Sequence, residues 1–140
     1  MSNTIPSTSV SLGGARAVLD AALAHATTID AAVCIVVVDP AGQAVLAARM
    51  DGAPRLSADI AADKAYTVAV FNGRPTDQWW PGLKDMPEIL DGLAKMPRFT
   101  ILGGGVPLRV SGKLVGAVGV SGGSSEQDVE IATAGAAVIA

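Results

Sequence analysis

The apolar residues of this chain recur mainly with the period of a helix. Between residues 12 and 26 they repeat every three to four positions, which predicts an amphipathic helix. Further helices are predicted over residues 55–71, 87–95 and 125 to about 139. Ser124 with Gln127 three positions later forms a capping box, which marks the start of the last helix.

Most of the remaining apolar residues lie in short runs that are typical of strands. Residues 33–39 are too apolar to alternate, which indicates a strand covered on both faces, and residues 43–50 return beside it. Three more strands are predicted over residues 99–102, 106–110 and 113–120, and a tight Ser111-Gly112 turn joins the last two. The order α-β-β-α-(loop helix)-β-β-β-α predicts an α+β fold, in which helices cover an antiparallel sheet.

Composition adds limits on organisation and partners. The 140 residues fit one domain, residues 11–140, after a flexible polar tail of residues 1–10. With 50% hydrophobic and 16% charged residues, the chain is apolar for a small monomer, so we expect a homo-oligomer that buries the excess. A net charge of −3 without basic clusters argues against nucleic acid. We expect no membrane span and no signal peptide, hence a cytoplasmic protein.

Two local features are the main candidates for a ligand site. Gly103, Gly104 and Gly105 form a segment without side chains, so their backbone N–H groups can approach a ligand. Lys64 flanks the apolar face of the second predicted helix, where an unpaired ammonium would be costly to bury. It therefore needs a carboxylate partner or a bound anion, and a structural ion pair and a functional role fit its position equally.

Other side chains are candidates for chemistry around these features. Lys64 with Glu126 could carry proton transfer, elimination or isomerisation without a cofactor. Glu126 and Asp128 also suit the first turn of a helix as capping charges. Trp79 or Trp80 could stack on a flat ring, or could serve packing alone. The ligand-binding candidates outside the glycine and tryptophan segments are Arg49, Asp51 and Asp128.

Several kinds of site are excluded by residue type and spacing. One histidine and one cysteine cannot form a Cys/His metal cluster, and we predict no metal site. The chain has no P-loop, no G-x-S-x-G elbow and no dinucleotide-binding glycine pattern. His25 lies at the edge of the first helix's apolar stripe. It is either an ordinary partly exposed or interface histidine or a ligand of haem or a metal.

Two long stretches resemble a known family. GGGVPLRVSGKLVGAVGVSGGSSEQD and VVVDPAGQAVLAARMDGAPRLSADIAADKAYTVAVF are similar to the GlcG/HbpS-like family, whose relatives include the C-terminal domain of PduO-type proteins. The likeness covers most of the chain, apart from the N-terminal tail and residues 71–95. It implies a profilin-like fold with five antiparallel strands and flanking helices. It also implies rings or stacked rings, such as hexamers or octamers.

The resemblance leaves two functions open. The first is a small-molecule-binding protein that takes haem or a related planar ligand, with only His25, Cys34 or a methionine able to bind the iron axially. The second is a cofactor-free lyase or isomerase for a small aromatic or carboxylated substrate. A hydroxylamino-aromatic lyase of aromatic catabolism is one such possibility. Lys64, the glycine segment and the tryptophan pair support this second function.

Overall fold

Five helices surround one four-stranded sheet in the computed structural model, which describes residues 1–140. The helices are α1 (Leu12–Thr28), α2 (Ser57–Val70), α3 (Trp79–Leu83), α4 (Pro87–Ala94) and α5 (Ser125–Ala136). The strands are β1 (Cys34–Val38), β2 (Ala44–Arg49), β3 (Gly105–Val110) and β4 (Lys113–Ser121). Short 3-10 helices occupy Thr76–Gln78 and Ala137–Ile139. No helix has both the length and the apolar character that a membrane crossing requires.

The sheet is antiparallel throughout and is covered on both faces. Its strand order is β2-β1-β4-β3, so β1 and β4 are central. Ile35 and Val37 of β1 pack on the side of α1 and α5, whereas Val36 and Val38 pack on the side of α2. Two covered faces explain why β1 shows no polar alternation. The predicted α+β class, with an antiparallel sheet and helices on its faces, is confirmed.

The predicted sheet of five strands is wrong, because residues 99–102 do not pair with any strand. They lie beside α2, where threonine hydroxyls satisfy their backbone. The N–H of Thr100 donates to Thr67 Oγ1 at 3.1 Å, and the N–H of Leu102 donates to Thr100 Oγ1 at 3.2 Å. Strand pairing begins only at Gly105, opposite Gly119. A run of strand-forming residues therefore became an extended loop, and the sheet has four strands.

The β3–β4 hairpin forms as predicted. Ser111 and Gly112 both have positive φ, 52° and 78°, as a two-residue turn of type I′ requires. The pairing register shifts between Leu108 and Arg109, which places a bulge beside Gly116. At Gly119 an added Cβ would overlap the carbonyl oxygen of Ala61, so a glycine here lets α2 lie directly on β4.

The start of α5 is fixed by the predicted capping box. The hydroxyl of Ser124 accepts the N–H of Gln127 at 3.2 Å, and the Gln127 side chain accepts the N–H of Ser124 at 2.9 Å. Both interactions satisfy donors that a helix start leaves free. The orientation of this first turn matters because Asp128 lies on it.

Candidate functional site

Lys64 is the buried charge around which the candidate site is built. It lies on the side of α2 that faces the sheet, and only 3% of the residue is exposed. Its ammonium donates to Asp128 Oδ2 at 3.0 Å and to the carbonyl oxygen of Val120 at 2.8 Å. An ammonium has three N–H donors, so one of them has no acceptor within the chain.

Asp128 pairs with Lys64 from the opposite side of the sheet. It lies in the first part of α5, is 3% exposed, and its Oδ1 accepts the N–H of Gly123 at 3.0 Å. Both carboxylate oxygens are therefore engaged. Because α2 and α5 cover different faces of the sheet, the Lys64–Asp128 pair joins the two helical layers beyond the end of β4.

Burial is the main influence on the charge of Lys64. Removal of the ammonium from water lowers the pKa of Lys64 below its ordinary value, and the charge and hydrogen bond of Asp128 oppose this effect without cancelling it. A lysine with a lowered pKa gives up its proton more easily, which is the property that a catalytic lysine needs.

The glycine segment lies directly against this ion pair. A Cβ at Gly104, where φ is +127°, would lie 3.0 Å from Lys64 Nζ and 2.9 Å from Asp128 Cβ. The N–H of Gly105 donates to Thr76 Oγ1 at 2.9 Å, and the carbonyl of Gly104 accepts the N–H of Val120 at 2.9 Å. The space that a side chain would need is thus occupied by the ion pair, which explains the need for glycine.

A small cleft opens beside the ion pair, and we call it the Lys64 cleft. Its volume is about 190 Å³. It is lined by Ile60, Lys64, Leu102, Gly103, Ser121, Gly123, Ser125 and Asp128. The backbone N–H of Gly103 finds no acceptor within the chain. The hydroxyl of Ser121 also makes no hydrogen bond within the chain, and its oxygen keeps some solvent contact although the residue is only 6% exposed.

The structure brings only some of the predicted site residues together. Lys64 and Asp128 meet at the glycine segment of Gly103, Gly104 and Gly105. Arg49 ends β2 and Asp51 follows it in a turn, both exposed and outside the cleft lining. Glu126 is exposed as well, and no hydrogen bond or ion pair joins it to Lys64. Asp128 is the carboxylate beside the lysine.

The two tryptophans lie in different environments, and neither lines the Lys64 cleft. Trp79 is 3% exposed, and its ring makes edge contacts with Phe71 and Phe99 at centroid distances of 4.5 and 5.2 Å. The guanidinium of Arg74 lies 4.3 Å from the centre of its ring. Trp80, by contrast, is 53% exposed. Trp79 therefore contributes to packing, and Trp80 presents its ring to the surroundings.

His25 lies in the last turn of α1, away from the Lys64 cleft. Its Nε2 is shielded from solvent, has no hydrogen-bond partner, and lies 3.6 Å from Glu130 Oε1. No group of three or more histidine, cysteine, aspartate or glutamate side chains is arranged to hold a metal ion.

Ser121 and Ser125 are cleft residues that the sequence prediction missed. The signal for Ser121 was the alternation along β4. Val118 and Val120 face α1 and α5, whereas Ala117 faces α2. Ser121 therefore falls on the side of α2, the helix that carries Lys64. Ser125 follows the capping residue, and nothing in its spacing distinguishes a cleft residue from an ordinary first-turn serine.

The chain is similar in sequence and in fold to known proteins. Residues 10–137 match the family model described as "Haem degrading protein HbpS-like". The chain is similar to a 15.0 kDa protein from the dhaT–dhaS intergenic region of Citrobacter freundii, with 40% identity over 124 residues, 85% of this chain and 84% of that protein.

Solved structures show the same fold. A double mutant of Streptomyces reticuli HbpS is 33% identical with a TM-score of 0.87, and the match covers 100% of this chain and 93% of that one. A complex of PduOC with haem is 28% identical with a TM-score of 0.83, and the match covers 94% of this chain and 96% of that one.

Proposed function

Since this chain belongs to the HbpS-like family, as its sequence motifs predicted, we propose that it is a small-molecule-binding protein whose ligand is haem or a related planar molecule. The family supports a haem-binding or other small-molecule-binding role, and the similar PduOC structure contains haem. The proposal extends this role to the present chain and assigns the iron contact to His25. Bound haem would supply electron-transfer or oxygen chemistry at its iron.

The observation that carries the proposal is the unpartnered imidazole nitrogen of His25. A buried polar atom without a hydrogen bond is rare, and a neutral imidazole nitrogen is a common axial ligand of haem iron. Glu130 Oε1 lies 3.6 Å from Nε2, and the Glu130 side chain is 56% exposed. An exposed contact of this kind contributes little stability, so Glu130 can rotate away from Nε2 at little cost.

Two other candidate axial ligands, Cys34 and Met50, fit haem less well. Cys34 is 1% exposed, and burial raises the pKa of its thiol, with Arg49 opposing the shift, so the thiolate that binds iron is disfavoured. The sulfur of Met50 accepts the N–H of Val33 at 3.5 Å. The Lys64 cleft contains no imidazole, thiol or thioether among its lining residues. These contacts favour His25.

Haem titration of matched variants tests the proposal. We expect the wild-type protein to give a saturable, intense absorbance band, and His25→Ala to weaken haem binding at least tenfold with a changed spectrum. Glu130→Ala is the control, because it removes the carboxylate beside Nε2 and keeps the imidazole, so it should bind haem as well as or more tightly than the wild type. An unchanged spectrum and affinity in His25→Ala would leave only adsorption to apolar surface.

A cofactor-free lyase or isomerase at the Lys64 cleft is the second candidate function. One observation favours it: a buried lysine with a lowered pKa borders a cleft and has Asp128 at 3.0 Å. In this function Lys64 moves a proton, and Asp128 holds its ammonium in position. Incubation with a hydroxylamino-aromatic acid, followed by absorbance, tests it. A rate equal to that of the protein-free blank would exclude this substrate class.

The proposal also covers the oligomeric state of the protein and its location in the cell. We infer a cytoplasmic homo-oligomer, hexameric or octameric, as the family resemblance implies. Large apolar side chains remain exposed on one chain and could be covered in such an assembly. They include Leu56, Phe71, Trp80, Met86, Ile89 and Met96.

A further inference from the structure

We propose that the Lys64 cleft binds the carboxylate group of a small organic acid, at a site separate from His25. The inference specifies the ligand class of the cleft on which the second candidate function rests, and it does not depend on haem binding. It follows from an imbalance between hydrogen-bond donors and acceptors in the cleft.

The free groups of the cleft are mostly donors. Lys64 uses two of its three N–H groups, for Asp128 and for the carbonyl of Val120. The hydroxyl of Ser121 and the N–H of Gly103 have no partner. Each carboxylate oxygen of Asp128 already accepts one hydrogen bond. A ligand that satisfies the free N–H groups of Lys64 and Gly103 must therefore supply acceptors.

The position of Ser121 supports the interpretation that these donors belong to one ligand-binding site. Its side chain is more than nine-tenths buried, lines the cleft and has no hydrogen-bond partner. The hydroxyl oxygen keeps the little exposure that the residue has, so it can reach a molecule bound in the cleft. Ser121 ends β4 beside the carbonyl of Val120 that holds Lys64, so the free hydroxyl and the ammonium border the same space.

The charge and the volume of the cleft restrict the class of ligand further. A carboxylate accepts charge-assisted hydrogen bonds from an ammonium more strongly than a neutral carbonyl does, and the start of α5 at Ser125 also favours a negative group. The volume of about 190 Å³ is below the usual range for drug-sized ligands. Ile60 and Leu102 supply the apolar part of the lining. The cleft thus suits a short acid whose carbon chain contacts these two residues.

A matched pair of probes tests the ligand class. Propanoate and its neutral isostere propanamide are titrated into the protein at constant ionic strength, and backbone amide shifts are followed by NMR. We expect saturable shifts at Gly103 and Ser121 with propanoate, and binding at least tenfold weaker with propanamide. Equal binding of the two probes, or no saturable shift with propanoate, would overturn the proposal.

Variants locate the site. Gly103→Ala places a Cβ 2.7 Å from Oγ of Ser125, so it crowds two lining residues of the cleft and should abolish propanoate binding. Ser121→Ala removes the free hydroxyl and should weaken binding at least fivefold. Gly92→Ala is the control, because its Cβ meets nothing within 4 Å, and it should bind as the wild type does. Unchanged affinity in Gly103→Ala would place the bound propanoate elsewhere and overturn the proposal. The haem spectrum of Gly103→Ala should match the wild type, which separates this test from that of His25.

Discussion

At the scale of single residues, Lys64 retains a charge in the interior because two acceptors meet its ammonium. Removal of one member of a buried ion pair leaves the other charged and unpaired, which costs more than the pair itself contributes. Lys64 and Asp128 therefore depend on one another more strongly than any surface pair of this protein, for example Lys95 with Asp91, whose side chains are 75% and 69% exposed.

This dependence predicts the effect of Lys64→Met on stability. The variant keeps the length of the side chain but leaves Asp128 without its partner, so we expect the free energy of unfolding to fall by about 3–5 kcal/mol. Lys95→Met is the matched control and should change it by no more than about 0.5 kcal/mol. Urea unfolding measures both. The double variant Lys64→Met with Asp128→Leu should recover most of the loss, and a further loss of similar size would contradict the pairing.

The lowered pKa of Lys64 predicts how stability depends on pH. Between the pKa of Lys64 in the folded protein and its ordinary value of 10.5, the unfolded chain binds more protons than the folded one. Stability from this group therefore rises with pH through that window and is constant below it. Unfolding of wild type and Lys64→Met at a series of alkaline pH values tests this, because other titrating groups cancel in the difference. A difference that falls as pH rises would contradict the direction of the shift.

The sequence predicted that Lys64 needs a charged partner, but Glu126 was the carboxylate predicted to act with it in acid–base chemistry. Asp128 lies 64 positions away in the chain, and the packing of α2 on β4, which leads into α5, brings it to the lysine. Adjacent residues of a helix point about 100° apart, so the two tryptophans face different directions. Nothing in the sequence distinguished Trp79 from Trp80, because the surrounding segment lacks a repeating apolar pattern.

At the scale of elements, the close contact between α2 and β4 depends on residues without side chains. Ala61 and Ala65 of α2 face Gly119 of β4, and a Cβ at Gly119 would meet the Ala61 carbonyl and lie 2.7 Å from Ala65 N. The obstacle is backbone, which cannot rotate away. The helix would have to move as a unit, and Lys64 would move with it.

Substitution of two glycines tests this contact. Gly119→Ala should lower the free energy of unfolding by at least about 2 kcal/mol, because it overpacks the helix–sheet junction. Gly92→Ala, in the open middle of α4, should leave stability unchanged or raise it by up to about 1 kcal/mol, since alanine favours the helix. Thermal unfolding compares the two variants. Equal melting temperatures would show that α2 does not lie against β4 as described.

Most helices and strands could be predicted from the local pattern of apolar and polar residues. The absence of a fifth strand could not, because a contact distant in the chain decides the conformation of residues 99–102. The hairpin, its turn and the start of α5 follow from residues close together in the chain. Residues 99–102 have the residue types of a strand, but Thr67 of α2 satisfies the N–H of Thr100 before a strand can. A donor or acceptor that lies 33 positions away is invisible to local pattern.

At the scale of the whole molecule, the apolar surface predicts assembly. No residue of α4 is buried in a single chain, although Ile89 is a large apolar residue. We expect a homo-oligomer larger than a dimer, because such surfaces are normally covered. Light scattering coupled to size exclusion at micromolar concentration measures the mass. A mass near 14.0 kDa, that of one chain, would contradict the prediction.

The position of Asp128 on α5 has a further consequence for communication between distant parts of the protein. Two residues later the same helix carries Glu130, whose Oε1 lies 3.6 Å from Nε2 of His25. A ligand that displaced Asp128 from Lys64 would therefore act on the helix that also carries this neighbour of His25. If that displacement changed the affinity for a ligand at His25, linkage would require the same factor in the opposite direction.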